Sequence, residues 1–228
     1  MRSARRGHDC RGDGIFQKRA GVARGGELGA ARGVELFYCA ADCFAARKYE
    51  MGKGFFITFE GSEGCGKSTH IAELVRYLQS RGRECVLTRE PGGTPLSEKI
   101  RELLLTAREG DGMSARTEIL LFEASRAEHV EKLIKPALAQ GKVVICDRFA
   151  DSTCAYQGVA RAIDPDTVDL LNAFAMGGAV PDLTVVLDID PKVGLERARR
   201  RDSGRADRMG SEKIEFYAKV REGFLKLA

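Results

Sequence analysis

From Met51 onward, short apolar runs alternate with stretches whose apolar residues recur every three or four positions. Phe55-Phe56-Ile57-Thr58-Phe59 is a run of strand length. Ile71, Leu74, Val75 and Leu78 then fall on one helical face, predicting a strand over 55–60 and a helix over 67–80. The same reading gives a strand over 85–88 and a helix over 95–106 with Leu96, Ile100, Leu103 and Leu104 on one face. A polar linker follows over 107–114. A long helix over 115–139 comes next, with Pro136 as a bend or interruption. Val143-Val144-Ile145-Cys146 predicts a strand ending at Asp147-Arg148, and a helix spans 165–175. The run over 183–189 is continuously apolar before Asp188, as in a strand buried on both faces. Helical stretches over 191–200 and 211–227 complete the pattern. This alternation predicts an α/β fold, a parallel sheet with helices on both faces. The last helical pattern carries no cap or stop signal. The expected domain is therefore C-terminally incomplete and lacks its last strand, which leaves the 183–189 strand with an open edge.

Residues 1–50 read differently. They are rich in Arg, Gly and Ala and show little periodicity. Ten Lys and Arg stand there against six Asp and Glu, so the whole net charge of +4 lies in that stretch. Six acids are too many for an organellar transit peptide, and Glu35 and Asp42 break the most apolar segment, so it is no secretory core. We read 1–50 as a basic extension, either disordered or an upstream mis-start, with a docked helix near 34–48 or a targeting role as alternatives; Met51 opens the domain over 51–228. That domain is neutral, which gives no support to a broad nucleic-acid surface. No apolar run approaches the roughly 18 residues of a membrane span. The seven cysteines are scattered and odd in number, and Cys39 and Cys43 lack a second pair at zinc-ligand spacing. Cys85 and Cys146 read as small core residues, and a reduced, cytoplasmic protein is the expectation.

Candidate chemistry sharpens this outline. Gly61-Ser62-Glu63-Gly64-Cys65-Gly66-Lys67-Ser68-Thr69 is G-x-x-x-x-G-K-S plus one residue, set between the first strand and the first helix. Backbone N–H groups at such a loop and helix N-terminus cradle phosphates; Lys67 would reach the β/γ-phosphates and Ser68 would ligate Mg²⁺. The motif points to ATP or another nucleoside triphosphate, not to what is done with it.

Three further clusters narrow the chemistry. Asp147 closes a strand, where it can hold Mg²⁺ or orient a phosphate-bearing ligand, and Arg148 offers a fork to phosphate. A turn-capping Asp-Arg pair is the simpler alternative. Arg89-Glu90-Pro91-Gly92-Gly93-Thr94 also follows a strand end, where ligands collect, although such a loop is usually only a turn. Phe122 and Arg126 stand four apart on one helix face, an aromatic plate and a guanidinium able to hold a flat base, or a core ring beside a solvated cation. Between Arg197 and Arg208 the chain carries a dense arginine run, either a solvated helix end or a surface facing anions.

Together these segments resemble the thymidylate kinases. The likeness runs from about Met51 to the C-terminus, and Asp147-Arg148-Phe149-x-x-Ser152-Thr153-x-Ala155-Tyr156-Gln157 is its most specific part. The resemblance implies the P-loop nucleoside monophosphate kinase fold and transfer of a phosphoryl group from ATP to dTMP, giving dTDP. Another nucleoside or nucleoside-monophosphate kinase, or an inactive nucleotide-binding fragment, is the alternative. By the same likeness Glu63 meets the deoxyribose 3′-hydroxyl and Phe122 stacks on thymine. Arg126, Thr153 and Gln157 line the base pocket, Tyr156 crowds the ribose 2′ position, and Arg89 and Arg148 grip the monophosphate. The arginine run resembles the mobile lid of bacterial members, with Arg201 and Arg205 as the candidates for catalysis beside Lys67 and Arg148. A homodimer is implied, with no nucleic-acid or membrane partner.

Overall fold

The computed structural model describes residues 23–25 (backbone only), 54–202 and 207–228. Most of the 1–50 extension, with the alternative helix near 34–48 and Cys39 and Cys43, lies outside the described residues, as does Arg205.

Four strands carry the sheet: β2 (Phe55–Glu60), β3 (Cys85–Arg89), β4 (Val143–Asp147) and β5 (Leu183–Ile189), all parallel and ordered β5-β2-β4-β3. A three-residue strand, β1 (Ala23–Gly25), runs parallel along the outer side of β5, from Ala23 opposite Leu187 to Gly25 opposite Ile189. It occupies part of the edge that the sequence pattern left open, and nothing in the pattern of 1–50 announced it.

Helices α1 (Lys67–Ser80), α2 (Pro95–Leu105) and α3 (Ala115–His129) follow their expected spans closely. The interruption at Pro136 takes a specific form. α3 widens into one π turn, Val130–Ile134, and resumes as α4 (Lys135–Ala139), where Pro136 sits in the first turn. A proline there has no N–H to lose, and the wider turn before it makes room for its ring. The remaining helices are α5 (Ala150–Thr153), which continues as a π segment over Cys154–Ala160, then α6 (Pro165–Met176), α7 (Pro191–Arg201) and α8 (Ile214–Leu227). The sequence pattern missed α5 and its continuation.

The sheet is buried on both faces because alternate residues of each central strand face different helices. Phe55, Ile57 and Phe59 of β2 join Ile71, Leu74 and Leu78 of α1 in one cluster. Phe56 joins Val144 and Cys146 of β4 in another, against Val130, Ile134 and Phe149. Cys146 is fully buried and Cys85 partly so, both packed as expected. A third cluster seats α8 on the fold through Tyr217, Val220 and Phe224. Arg221 of α8 clasps Asp188 at the end of β5 through two bonds of 2.6 and 2.7 Å. Because all the strands are parallel, the loops after β2, β3 and β4 leave from one edge of the sheet, and the chemistry-bearing segments gather there.

Candidate active site

The loop after β2 closes on itself. Lys67 Nζ donates to the carbonyls of Gly61 and Ser62, each at 3.1 Å, and approaches Cys65 Sγ at 3.5 Å. Gly64 sits at φ +68°, where a Cβ would lie 2.1 Å from the Gly194 carbonyl. A Cβ on Gly194 would in turn lie 2.4 Å from the Glu63 carbonyl. Two glycines thus let α7 touch the loop backbone to backbone.

The turn after β4 is strained. Arg148 adopts φ +73°, a region that costs a residue with a side chain of order 1–3 kcal/mol and is held only where surroundings enforce it. Here the Arg148 N–H donates to Phe59 O at 2.9 Å and the Phe149 N–H to Glu60 Oε1 at 2.7 Å. Ser152 Oγ donates to the other Glu60 oxygen at 2.6 Å. The outcome is a half-buried guanidinium aimed back at the phosphate loop: Arg148 Nη1 reaches Gly61 O at 3.0 Å and Nη2 reaches Glu63 Oε1 at 2.7 Å. Its plane lies over the Tyr156 ring, 5.0 Å from the centroid.

The two carboxylates beside this turn titrate in opposite directions. Glu60 is pushed up to about 8, chiefly by burial and then by the nearby charge of Asp151. Burial acts upward on Glu63 too, but the positive charges of Arg148, Lys67 and Arg201 outweigh it and hold the group below the usual carboxylate range.

A polar network fills the far end. Arg126 is buried, and four of its five N–H groups are engaged. Nε donates to Glu90 at 2.8 Å, Nη1 to Glu123 and Asn172 at 2.6 Å each, and Nη2 to Thr153 at 3.0 Å. His129 links the other Glu90 oxygen, at 3.0 Å, to Thr88 Oγ1, at 2.7 Å. One Nη2 hydrogen of Arg126 is left over.

One cavity of about 490 Å³ joins these parts. Its phosphate-loop wall holds Glu63 to Thr69. Asp147 and Arg148 come from the β4 turn, Arg89 from the end of β3, and Phe122 and Arg126 from α3. Thr153, Tyr156 and Gln157 come from α5 and its π continuation, and Arg201 from the end of α7. Gly61 and Ser62, expected among the ATP-contacting residues, are not on the wall: both are buried, and their carbonyls hold Lys67 instead. Arg201 is on the wall, but its fork is engaged by Asp202 at 2.7 and 2.8 Å.

Arg101 was missed by the sequence reading. It reaches the cavity from α2, donates to Pro91 O at 2.8 Å, and is shifted downward by burial and by neighbouring Arg89. Two guanidiniums that disfavour each other at a cavity wall suit an anion between them. Its position, one residue after Ile100 on an amphipathic helix, reads as an ordinary solvated face, so only the fold reveals it. Glu60, Glu118 and Asn172 were missed for a similar reason: each is a polar residue the fold buries.

The family model of thymidylate kinase matches residues 59–228. The thymidylate kinase of Geotalea uraniireducens is 50% identical over 179 residues, covering 77% of this chain and 84% of its own. That of Desulfosudis oleivorans is 51% identical over 178 residues, covering 76% and 83%. The crystal structure of thymidylate kinase from Ehrlichia chaffeensis is 42% identical, with a TM-score of 0.63, and covers 77% of this chain and 81% of that one. With a sequence match across most of its length and the same α/β architecture, the chain belongs to the thymidylate kinase family.

Proposed function

We propose that the cavity seats dTMP and ATP with their phosphates facing each other, the thymine at the Arg126 end and the ATP phosphates in the Gly64–Thr69 loop. The activity is that of the family: a phosphoryl group passes from ATP to dTMP, giving ADP and dTDP. The observation that carries this seating is Arg148, half-buried at the junction of the two ends and bonded to both Gly61 O and Glu63.

The acceptor is a phosphate oxygen, with a second pKa of about 6, so it is largely dianionic near pH 7 and needs no strong base. What opposes the reaction is repulsion between two anions. Lys67, Arg148 and Arg201 supply positive charge along the line of transfer, with Arg205 as the other candidate from the arginine run. An arginine acting this way is worth about 10³–10⁵ in rate in related phosphoryl transfers. Arg201 would exchange Asp202 for a phosphate oxygen. Arg89 and Arg101 flank the place given to the monophosphate, and Glu63, kept ionised, accepts from the 3′-hydroxyl. Tyr156, packed beneath Arg148, crowds the ribose 2′ position.

At the base end Phe122 offers its ring face, while the remaining Nη2 hydrogen of Arg126 suits a carbonyl oxygen of thymine. Thr153 positions that guanidinium. Asp147 Oδ1 is buried with no hydrogen-bond partner among the described residues, and the exposed Ser68 hydroxyl lies on the same wall. This pair fits a Mg²⁺ ion, which when bound would neutralise charge on the phosphates.

We extend the reading to a cytoplasmic homodimer and to residues 1–50 as an extension outside the catalytic machinery, its β1 strand lying along the outer edge of the sheet. No helix among the described residues is long and apolar enough to cross a membrane. Leu170 and Phe174 of α6, 70% and 83% exposed, and Leu120 of the adjoining α3 form an apolar face suited to a second copy. A turnover panel of dTMP, dUMP, dCMP, AMP and thymidine with ATP and Mg²⁺ tests the seating. We expect dTMP to be strongly preferred, and a preference for AMP or thymidine would contradict it.

A further inference from the structure

Glu118 stands one helical turn before Phe122 on α3 but is not part of the cavity wall. Its side chain is 1% exposed, yet its carboxylate gathers donors from three other residues. Gln157 Nε2 reaches Oε1 at 2.8 Å. Arg161 bonds both oxygens at 3.2 Å, and Arg208 Nη1 reaches Oε2 at 2.6 Å. Burial opposes the charge, but these hydrogen bonds prevail and hold the group below the usual carboxylate range.

An ionised carboxylate accepts and never donates. The Gln157 amide must therefore turn its NH₂ group toward Glu118. Its carbonyl oxygen is then left over, and no donor among the described residues reaches it. Gln157 lines the cavity at the end we assign to the base.

We infer that Glu118 is a positioning residue that fixes the direction in which Gln157 reads the pyrimidine, presenting its carbonyl oxygen to a ring N–H. Thymine carries a hydrogen on N3; cytosine has a bare lone pair there. A cytosine N3 would face the Gln157 oxygen lone pair to lone pair. Rotating the amide to relieve this would turn that oxygen onto the Glu118 carboxylate, which Arg161 and Arg208 hold in place. A site built to accept a hydrogen bond rejects an analogue that lacks the hydrogen. The inference rests on the proposed seating of thymine at Gln157.

The test is steady-state kinetics of Glu118→Gln with dTMP and dCMP. The new amide can donate to Gln157, so both orientations become available. We expect the dTMP KM to rise roughly tenfold with kcat little changed, and the dTMP-over-dCMP ratio of kcat/KM to fall at least tenfold. If both substrates decline in parallel and the ratio holds, Glu118 is only a structural tie and the inference is overturned. Gln157→Ala separates this failure from that of the seating: an unchanged dTMP KM in that variant means the base does not lie there. Wild-type protein gives a second readout that does not depend on the variant folding. The Gln157 side-chain NH₂ signal in NMR, identified by its loss in Gln157→Ala, should exchange slowly with solvent before and after dTMP is added. Fast exchange that dTMP suppresses would mean that the NH₂ faces the base, and would overturn the proposal.

Discussion

Arg148 Nη2 lies 2.7 Å from Glu63 Oε1, joining the turn after β4 to the loop after β2 across 85 positions of sequence. The contact exists because the residue after β4 is held at positive φ and the phosphate loop brings a carboxylate to meet it. It also makes both groups keep their charges where burial alone would oppose them.

Arg148→Ala should raise the dTMP KM and lower kcat by about a thousandfold, the scale of losing one preorganised charge in a phosphoryl-transfer site. Arg148→Lys keeps the charge but not the fork, and should recover only part of the loss. Steady-state kinetics check both; wild-type constants in Arg148→Ala would remove the residue from the site.

Glu60 gives the fold a pH dependence. Its folded-state pKa, pushed up to about 8, lies above the ordinary value of 4.5, so the native protein binds this proton more tightly than the unfolded chain. The group's contribution is therefore fully present below the ordinary carboxylate range and is lost as pH rises toward 8. Between pH 5.5 and 8.5 the Tm of wild type should fall more steeply than that of Glu60→Gln. Parallel curves would mean that Glu60 is not the titrating group.

Arg126→Met should destabilise the fold by about 3–5 kcal/mol, because Glu90 and Glu123 would remain buried without their cation. Urea denaturation measures this directly. A loss of dTMP binding with unchanged stability would show that the network is not what holds α3 to the Glu90 loop.

Gly194→Ala should act on ATP more than on dTMP. Its Cβ would press on the Glu63 carbonyl, pushing α7 away from the phosphate loop. We expect the ATP KM to rise about tenfold and dTMP affinity, measured by calorimetry, to fall by a smaller factor through the displaced Glu63. Equal damage to both substrates would place the contact elsewhere in the mechanism.

What was legible in the sequence follows from where apolar periodicity survives. The strands at 55–60 and 183–189 and the helix at 67–80 have the observed bounds, because their buried faces are apolar and their ends carry turn residues. The helix over 150–160 was invisible. Its inward face is Thr153, Tyr156 and Gln157, polar groups turned to the cavity, and its π turns break the regular spacing. Site residues within contiguous motifs, such as Lys67 and Asp147-Arg148, could be read directly. Arg101 and Glu118 could not: Arg101 falls on the polar side of an amphipathic helix, and Glu118 is a charged residue that only the fold buries. The motif gives Gly61 and Ser62 to ATP as well, and in the fold their carbonyls hold Lys67.

A crystal structure of the protein with dTMP bound examines the seating at its root. We expect thymine against Phe122 with its edge toward Arg126 and Gln157, and the monophosphate in hydrogen-bond contact with Arg148. A nucleotide lying reversed in the cavity, or bound outside it, would contradict the arrangement from which every residue role above is drawn.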